Sequence, residues 1–273
     1  MIAINSIMTS IFDALLRPFA ALSPWSGIAV VALLTGVVML VVYRYTSNQR
    51  AIRRAKDRIR AHLLEVRLYR DDMRVLLRAQ KDILLANLVY LAHSLRPLAV
   101  MIIPVVLILI QLNAHYGYRP LRPGDAAILA AQFAPGDVTA AAPRLIVPRG
   151  LTVEALPLHI PSLREVDWRI RAQSRGRYVV SVVTGGQRLN KQVVVSDRRA
   201  RVSPARVGSG LWAIAMNPGE RPLPQGSAIR SIAVQYEPAP LPFFRWNLHW
   251  LVGFFILSIA FGLALKGVFR VEV

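Results

Sequence analysis

Residues 27–43 read GIAVVALLTGVVMLVVY, 17 positions with no charge. A helix of that length covers ~25 Å at ~1.5 Å per residue, close to the ~30 Å of hydrocarbon in a bilayer. Trp25 precedes the run, Tyr43 closes it and Arg44 follows, the order in which aromatic and basic groups meet a membrane interface. The residues ahead of it carry no net positive charge, and the basic run behind it has the character of a stop-transfer flank. It is therefore read as a first span, 25–43, and not as a removed signal segment.

Two further apolar runs stand downstream. Residues 98–112 are uncharged, with Pro97 just before them and Pro104 inside. They predict a short, kinked second span, 97–113, in which neighbouring groups satisfy the carbonyl freed by Pro104. Residues 248–265, opened by Trp246 and Trp250 and closed by Lys266, predict a third span within 243–267, with a tail at 268–273. Gly253, Ser258 and Gly262 offer positions for close helix contact there.

The composition agrees. Of 273 residues, 54% are hydrophobic and only 18% charged; soluble domains average ~25% charged. Mean hydropathy is +0.41. Net charge is +19, suited to anionic lipid, RNA or acidic partners. There is no cysteine, which excludes disulfides, thiol catalysis and cysteine-bound zinc. Only Lys56, Lys81, Lys191 and Lys266 are lysines, an arginine bias associated with GC-rich, bacterial genes.

Around the spans lie four further segments. Within 1–24, Ile4, Ile7, Met8, Ile11, Phe12, Leu15, Leu16 and Phe19 recur at helical spacing and predict an amphipathic helix lying in the interface, stopped near Pro18. Segment 44–96 holds 13 Lys and Arg against 5 Asp and Glu. A heptad-like seam of apolar and aromatic residues, among them Ile59, Val66, Leu76 and Ile83, runs through it. Both ends are tied to spans, so it predicts a basic, coiled-coil-like helical hairpin that bends near Arg70, Asp71 and Asp72. Segment 114–144 is rich in Pro and Gly and reads as a linker. Segment 145–240 then gives β-type runs at 151–160, 166–172, 178–184, 192–196, 211–216 and 227–236. Gly185 and Gly186 between two of them form a hairpin signal. The expected class is thus an α-helical membrane protein of three spans and a helical hairpin, with an inserted all-β sandwich domain.

Lys and Arg near span ends set the orientation. Seven fall within 44–63 but only two, Arg119 and Arg122, within 114–133. This places the N-terminus and β-domain outside, with the hairpin and C-terminus in the cytoplasm, most simply of a bacterial inner membrane.

This order of parts resembles the YidC/Oxa insertase superfamily. The run Ile11-Phe12-Asp13-Ala14-Leu15-Leu16-Arg17-Pro18-Phe19 is similar to the interfacial helix before that family's first core span. Gly27, Thr35 and Tyr43-Arg44, leading into Gln49 and Arg50, fit the same pattern, as does the charged helix from Gln80 to Pro97 before a short span. The resemblance covers roughly residues 10–113 and the third span. It implies a membrane-protein insertase or chaperone that eases nascent polar segments into the bilayer without a cofactor. Two departures stand out. Bacterial members carry an arginine in the groove, whereas 27–43 has no charge; and here a β-domain intervenes outside, implying an extracytoplasmic protein partner.

The residues offer no conventional active site. His62, His93, His115, His159 and His249 form no close ligand pair. Asp71-Asp72 suits a helix cap better than paired acid chemistry, because adjacent helical residues do not face each other. Gly208-Ser209-Gly210 lacks the lysine and helix of a phosphate loop. No enzyme, cofactor or metal is expected. Polar groups at membrane depth, Thr35, Gln111, Asn113 and Ser258, are the groove candidates, since lipid penalises them unless they face one another or water. Arg50, Arg53, Arg54, Lys56, Arg58 and Arg60 form a cytoplasmic basic surface for ribosome, nascent chain or lipid. The alternative function class is a structural or accessory subunit whose spans anchor the β-domain to a larger complex.

Overall fold

The computed structural model describes residues 2–19, 22–47, 54, 57, 59–61, 64, 73–134, 143–208, 210–243, 245–267 and 269. The expected bend at Arg70–Asp72 and most of the hairpin's first arm lie outside these residues. The chain divides into two compact units, one of residues 1–28 and 109–251, the other of residues 29–108 and 252–273.

Helices supply the second unit. Helix α2 spans Pro24–Thr46, α3 spans Met73–Leu112 and, late in the chain, α5 spans Trp250–Leu265. Among the described residues two helices are long and apolar enough to cross a membrane, Pro24–Thr46 and the stretch Gln80–Gly117, and less than half of each apolar window is buried within the protein, 39% and 18%. The third apolar helix, α5, has 16 residues, ~24 Å of rise. A Cβ on Gly36 of α2 would stand 3.6 Å from the Gly262 nitrogen of α5, so the small residues there allow backbones to approach closely.

Helix α3 departs from the expected short span. It runs 40 residues, through Pro97 and Pro104, so the second hairpin arm and the second apolar run are one helix. Each proline removes one backbone donor, but Leu84, Leu88, Leu91 and Leu95 ahead of Pro97 extend the helical pattern, and one lost bond per proline does not end a helix of this length.

The first unit is built on β-structure. Helix α1 spans Ile2–Leu16 and a 3-10 turn follows at Arg17–Phe19. The strands are β1 Ala126–Phe133, β2 Arg144–Ile146, β3 Leu151–Val153, β4 Leu158–Ile160, β5 Glu165–Ala172, β6 Gly176–Thr184, β7 Gln187–Val195, β8 Ala205–Val207, β9 Ile229–Val234, β10 Leu241–Phe243 and β11 Trp246–Leu248, with a short helix α4 at Leu211–Met216. All sheet pairing is antiparallel. One sheet has the order β3-β5-β1-β9-β8, with β4 also on β5; a second has the order β2-β6-β7; β10 and β11 form a ribbon.

Period-two alternation explains the packing. On β5, Val166, Trp168, Ile170 and Ala172 are buried; on β6, Val180 and Val182 are. Residues of both larger sheets join one apolar core that includes Leu129, Phe133, Trp168, Val193 and Ile232. Gly185 and Gly186 take φ of +53° and +75°, the two left-handed positions a tight hairpin demands, and Thr184 pairs with Gln187 across them.

Three expectations change. The segment read as a linker contains β1, the central strand of the larger sheet. The run 151–160 is two strands, β3 and β4, because Pro157 cannot continue a ladder. The run 211–216 is helix α4, ended by the Asn217 side chain, which donates to the Ala213 carbonyl at 3.0 Å.

Candidate functional site

The expected groove residues fall in different places. Thr35 is in the helical unit and donates its hydroxyl to the Val31 carbonyl of its own helix at 2.7 Å. Ser258 is in the same unit, with a buried hydroxyl that has no partner among the described residues. Gln111 and Asn113 belong to the β-containing unit. Gln111 is 2% exposed and accepts the Thr9 hydroxyl at 3.3 Å. Asn113 begins a π-turn, Asn113–Gly117, that ends the long helix. Of the expected basic surface, Arg54 and Arg60 are exposed, and Arg60 pairs with Asp57 at 3.9 Å; Arg50, Arg53, Lys56 and Arg58 lie outside the described residues.

What the structure brings together instead is a polar seam under α1. Asn5, Thr9 and Asp13 recur every four residues, which puts them on one helical face. Asn5 donates to the Ile214 carbonyl at 3.1 Å, and Thr9 meets Gln111. Asp13 Oδ1 accepts from His115 Nε2 at 2.9 Å and faces Arg201 at 3.6 Å. His115 Nδ1 stands 2.9 Å from the Gln111 carbonyl. Both ring nitrogens therefore face acceptors. The His115 bond, then Arg201, holds the Asp13 carboxyl below its ordinary value. Phe12 and Leu16 bury beside the seam, whereas Ile7 and Ile11 point outward, 60% and 54% exposed. The apolar surface of α1 is thus divided, Phe12 and Leu16 packing inward and Ile7 and Ile11 facing away from the protein. At the helix end, the Tyr116 ring leaves no room for a Cβ on Gly27.

The seam opens into a cavity of about 650 Å³, lined by Asn5, Thr9, Asp13, Arg201, Asn217 and Glu220 among others. Glu220 leads to the one fully buried lysine among the described residues. Lys191 has no exposed surface. Its ammonium pairs with the Glu220 carboxylate and donates to the carbonyls of Ser203 at 2.6 Å and Gln192 at 3.2 Å. Three donors thus have three acceptors. Glu220 Oε2 also accepts the Gln192 amide at 2.9 Å. Burial pushes the Lys191 pKa down, opposed by Glu220. The pair pins the loop after α4 to β7.

No group of three or more histidines or carboxylates that could hold a metal occurs among the described residues. The sequence offered one readable signal for this site, the four-residue spacing of Asn5, Thr9 and Asp13. Nothing in it marked Lys191 or Glu220, which come together across 29 residues. No family model, curated protein or solved structure matches this chain.

Proposed function

We propose that this chain is a membrane-anchored accessory subunit that holds its β-region outside the bilayer, as a mount for an extracytoplasmic protein of a larger complex. What supports this reading above all is how the polar groups are used. An insertase groove needs polar side chains held open to a passing segment. Here Gln111 and Thr9 are bonded to each other, Thr35 to its own helix, Asn5 to α4, and Asp13 to His115 and Arg201. The bonds of Asn5, Thr9 and Asp13 tie the N-terminal helix to the end of α3, to α4 and to the Arg201 loop. The outward Ile7 and Ile11 suit the lipid interface, so α1 is clasped by protein on its polar side and by lipid on the other.

In this reading the N-terminus and β-region lie outside, and residues 44–96 and the C-terminus lie in the cytoplasm of a bacterial inner membrane, the arrangement favoured by the excess of Lys and Arg within 44–63. The test is reconstitution of the purified chain in liposomes with small single-span clients. An accessory subunit leaves insertion no faster than in empty liposomes. Consistent acceleration across several clients would instead favour the insertase that the family resemblance implies.

A further inference from the structure

A second, much smaller cavity adjoins the seam, of about 50 Å³, well below the ~300–1,000 Å³ of ordinary small-molecule sites. Its walls are of two kinds. Leu16, Phe19 and Leu22 form an apolar side; His115, Arg199 and Arg201 form a nitrogen-rich side. Pro24, the first residue of α2, closes it. The volume admits one compact polar group, and 60%-exposed Leu22 leaves an apolar path out of it.

Arg199 is the informative member. Arg119, Arg169, Arg171, Arg175 and Arg201 each have a carboxylate partner. Arg199 has none among the described residues. It donates one N–H to the Pro240 carbonyl at 2.7 Å, and a guanidinium has five. Burial pushes its pKa down, opposed by Tyr116. His115 cannot be the ligand group, because both its nitrogens are engaged. Arg201 shares Asp13 at 3.6 Å and keeps donors to spare.

We infer that this cavity receives the phosphate of an anionic phospholipid on Arg199 and Arg201, with the acyl chains leaving past Phe19 and Leu22 along α2. Planar guanidinium forks match phosphate oxygens in pairs. A lipid phosphate also explains the apolar wall, which a free phosphate ion has no use for. The inference rests on the membrane placement of α2 proposed above. It assigns a lipid to the surface and not a protein, so it does not depend on the accessory role.

The test is native mass spectrometry of the purified full chain after exchange with an equal mixture of phosphatidylglycerol and phosphatidylcholine. Wild type should retain one phosphatidylglycerol in preference to phosphatidylcholine by about tenfold: both carry the phosphodiester, but the choline cation of phosphatidylcholine is repelled by the Arg199 and Arg201 guanidinium groups. Arg199→Gln should bring the ratio near one, Arg199→Lys should keep most of it, and Arg149→Gln, an exposed residue elsewhere on the β-region, should leave it unchanged. Should Arg199→Gln misfold, Leu22→Asp decides, because an exposed residue is changed and a carboxylate placed at the mouth should also abolish the preference. Equal retention of the two lipids by wild type would overturn the inference. So would retained preference in both Arg199→Gln and Leu22→Asp, or millimolar inorganic phosphate filling the site and excluding the lipid. Lipid retention is read without any protein partner, so its failure is distinct from failure of the accessory reading.

Discussion

Replacing Glu220 with Gln removes the counter-charge of Lys191, whose side chain is completely buried. The ammonium keeps two carbonyl acceptors, Ser203 at 2.6 Å and Gln192 at 3.2 Å, but no carboxylate. Breaking a buried ion pair from one side costs ~3–5 kcal/mol. For a chain of this size that lowers the melting temperature by roughly 6–20 °C. The loss should depend on pH. A buried lysine with a lowered pKa is penalised wherever the unfolded lysine is charged, and the penalty fades as pH rises toward the unfolded value of ~10.4. Glu220→Gln should therefore regain stability between neutral and alkaline pH more than wild type does. The double variant Lys191→Met with Glu220→Gln removes both charges and should lie within ~1 kcal/mol of wild type. Thermal unfolding of the detergent-solubilised full chain, followed by intrinsic fluorescence across pH, reads all three. A Glu220→Gln protein as stable as wild type at neutral pH would refute the buried-pair reasoning.

Other consequences follow from the same contacts. Because Asp13 is held below its ordinary pKa by His115 and Arg201, its contribution is complete above the unfolded carboxyl value and lost as pH falls through the depressed one. Spin labels on Ser10→Cys and Arg221→Cys should keep one distance from neutral down to ~pH 4 and broaden below it; release already near pH 6 would contradict the seam. Gly27→Ala should destabilise by ~1–3 kcal/mol through overpacking against Tyr116, and Tyr116→Phe should recover much of that in a melting experiment. A fragment of residues 145–240 lacks the central strand β1 and should be protease-sensitive, while residues 118–240 should resist; equal resistance would mean that β1 is dispensable.

Much of the architecture was legible because it rests on local periodicity. The uncharged run 27–43, the alternation around Val180 and Val182, and the Gly185-Gly186 turn each state their structure in adjacent residues. Strand β1, AAILAAQF, did not. Alanine carries little strand preference, and this strand is set by pairing on both sides, Leu129 to Trp168 and to Val234. Residues 211–216 alternate like a strand yet form a helical turn, an ambiguity that short apolar runs always carry. The seam was half legible. The apolar residues of α1 were read as one helical face, and the helix forms, with Ile7 and Ile11 facing outward and Phe12 and Leu16 packed inward. The polar stripe Asn5-Thr9-Asp13 has meaning only once Gln111 and His115 are beside it, about 100 residues later in the chain.

The accessory role is tested most directly by site-specific photocrosslinking in native membranes, from two sets of positions in the full-length chain. One set is Leu156, Leu158 and Leu163, exposed on the β-region; the other is Leu98 and Ile102, exposed on α3. The account predicts one stable, stoichiometric protein captured from the β-region, present with or without ongoing translation. Capture of short-lived nascent chains from Leu98 and Ile102, vanishing when translation stops and with no stable product from the β-region, would contradict it.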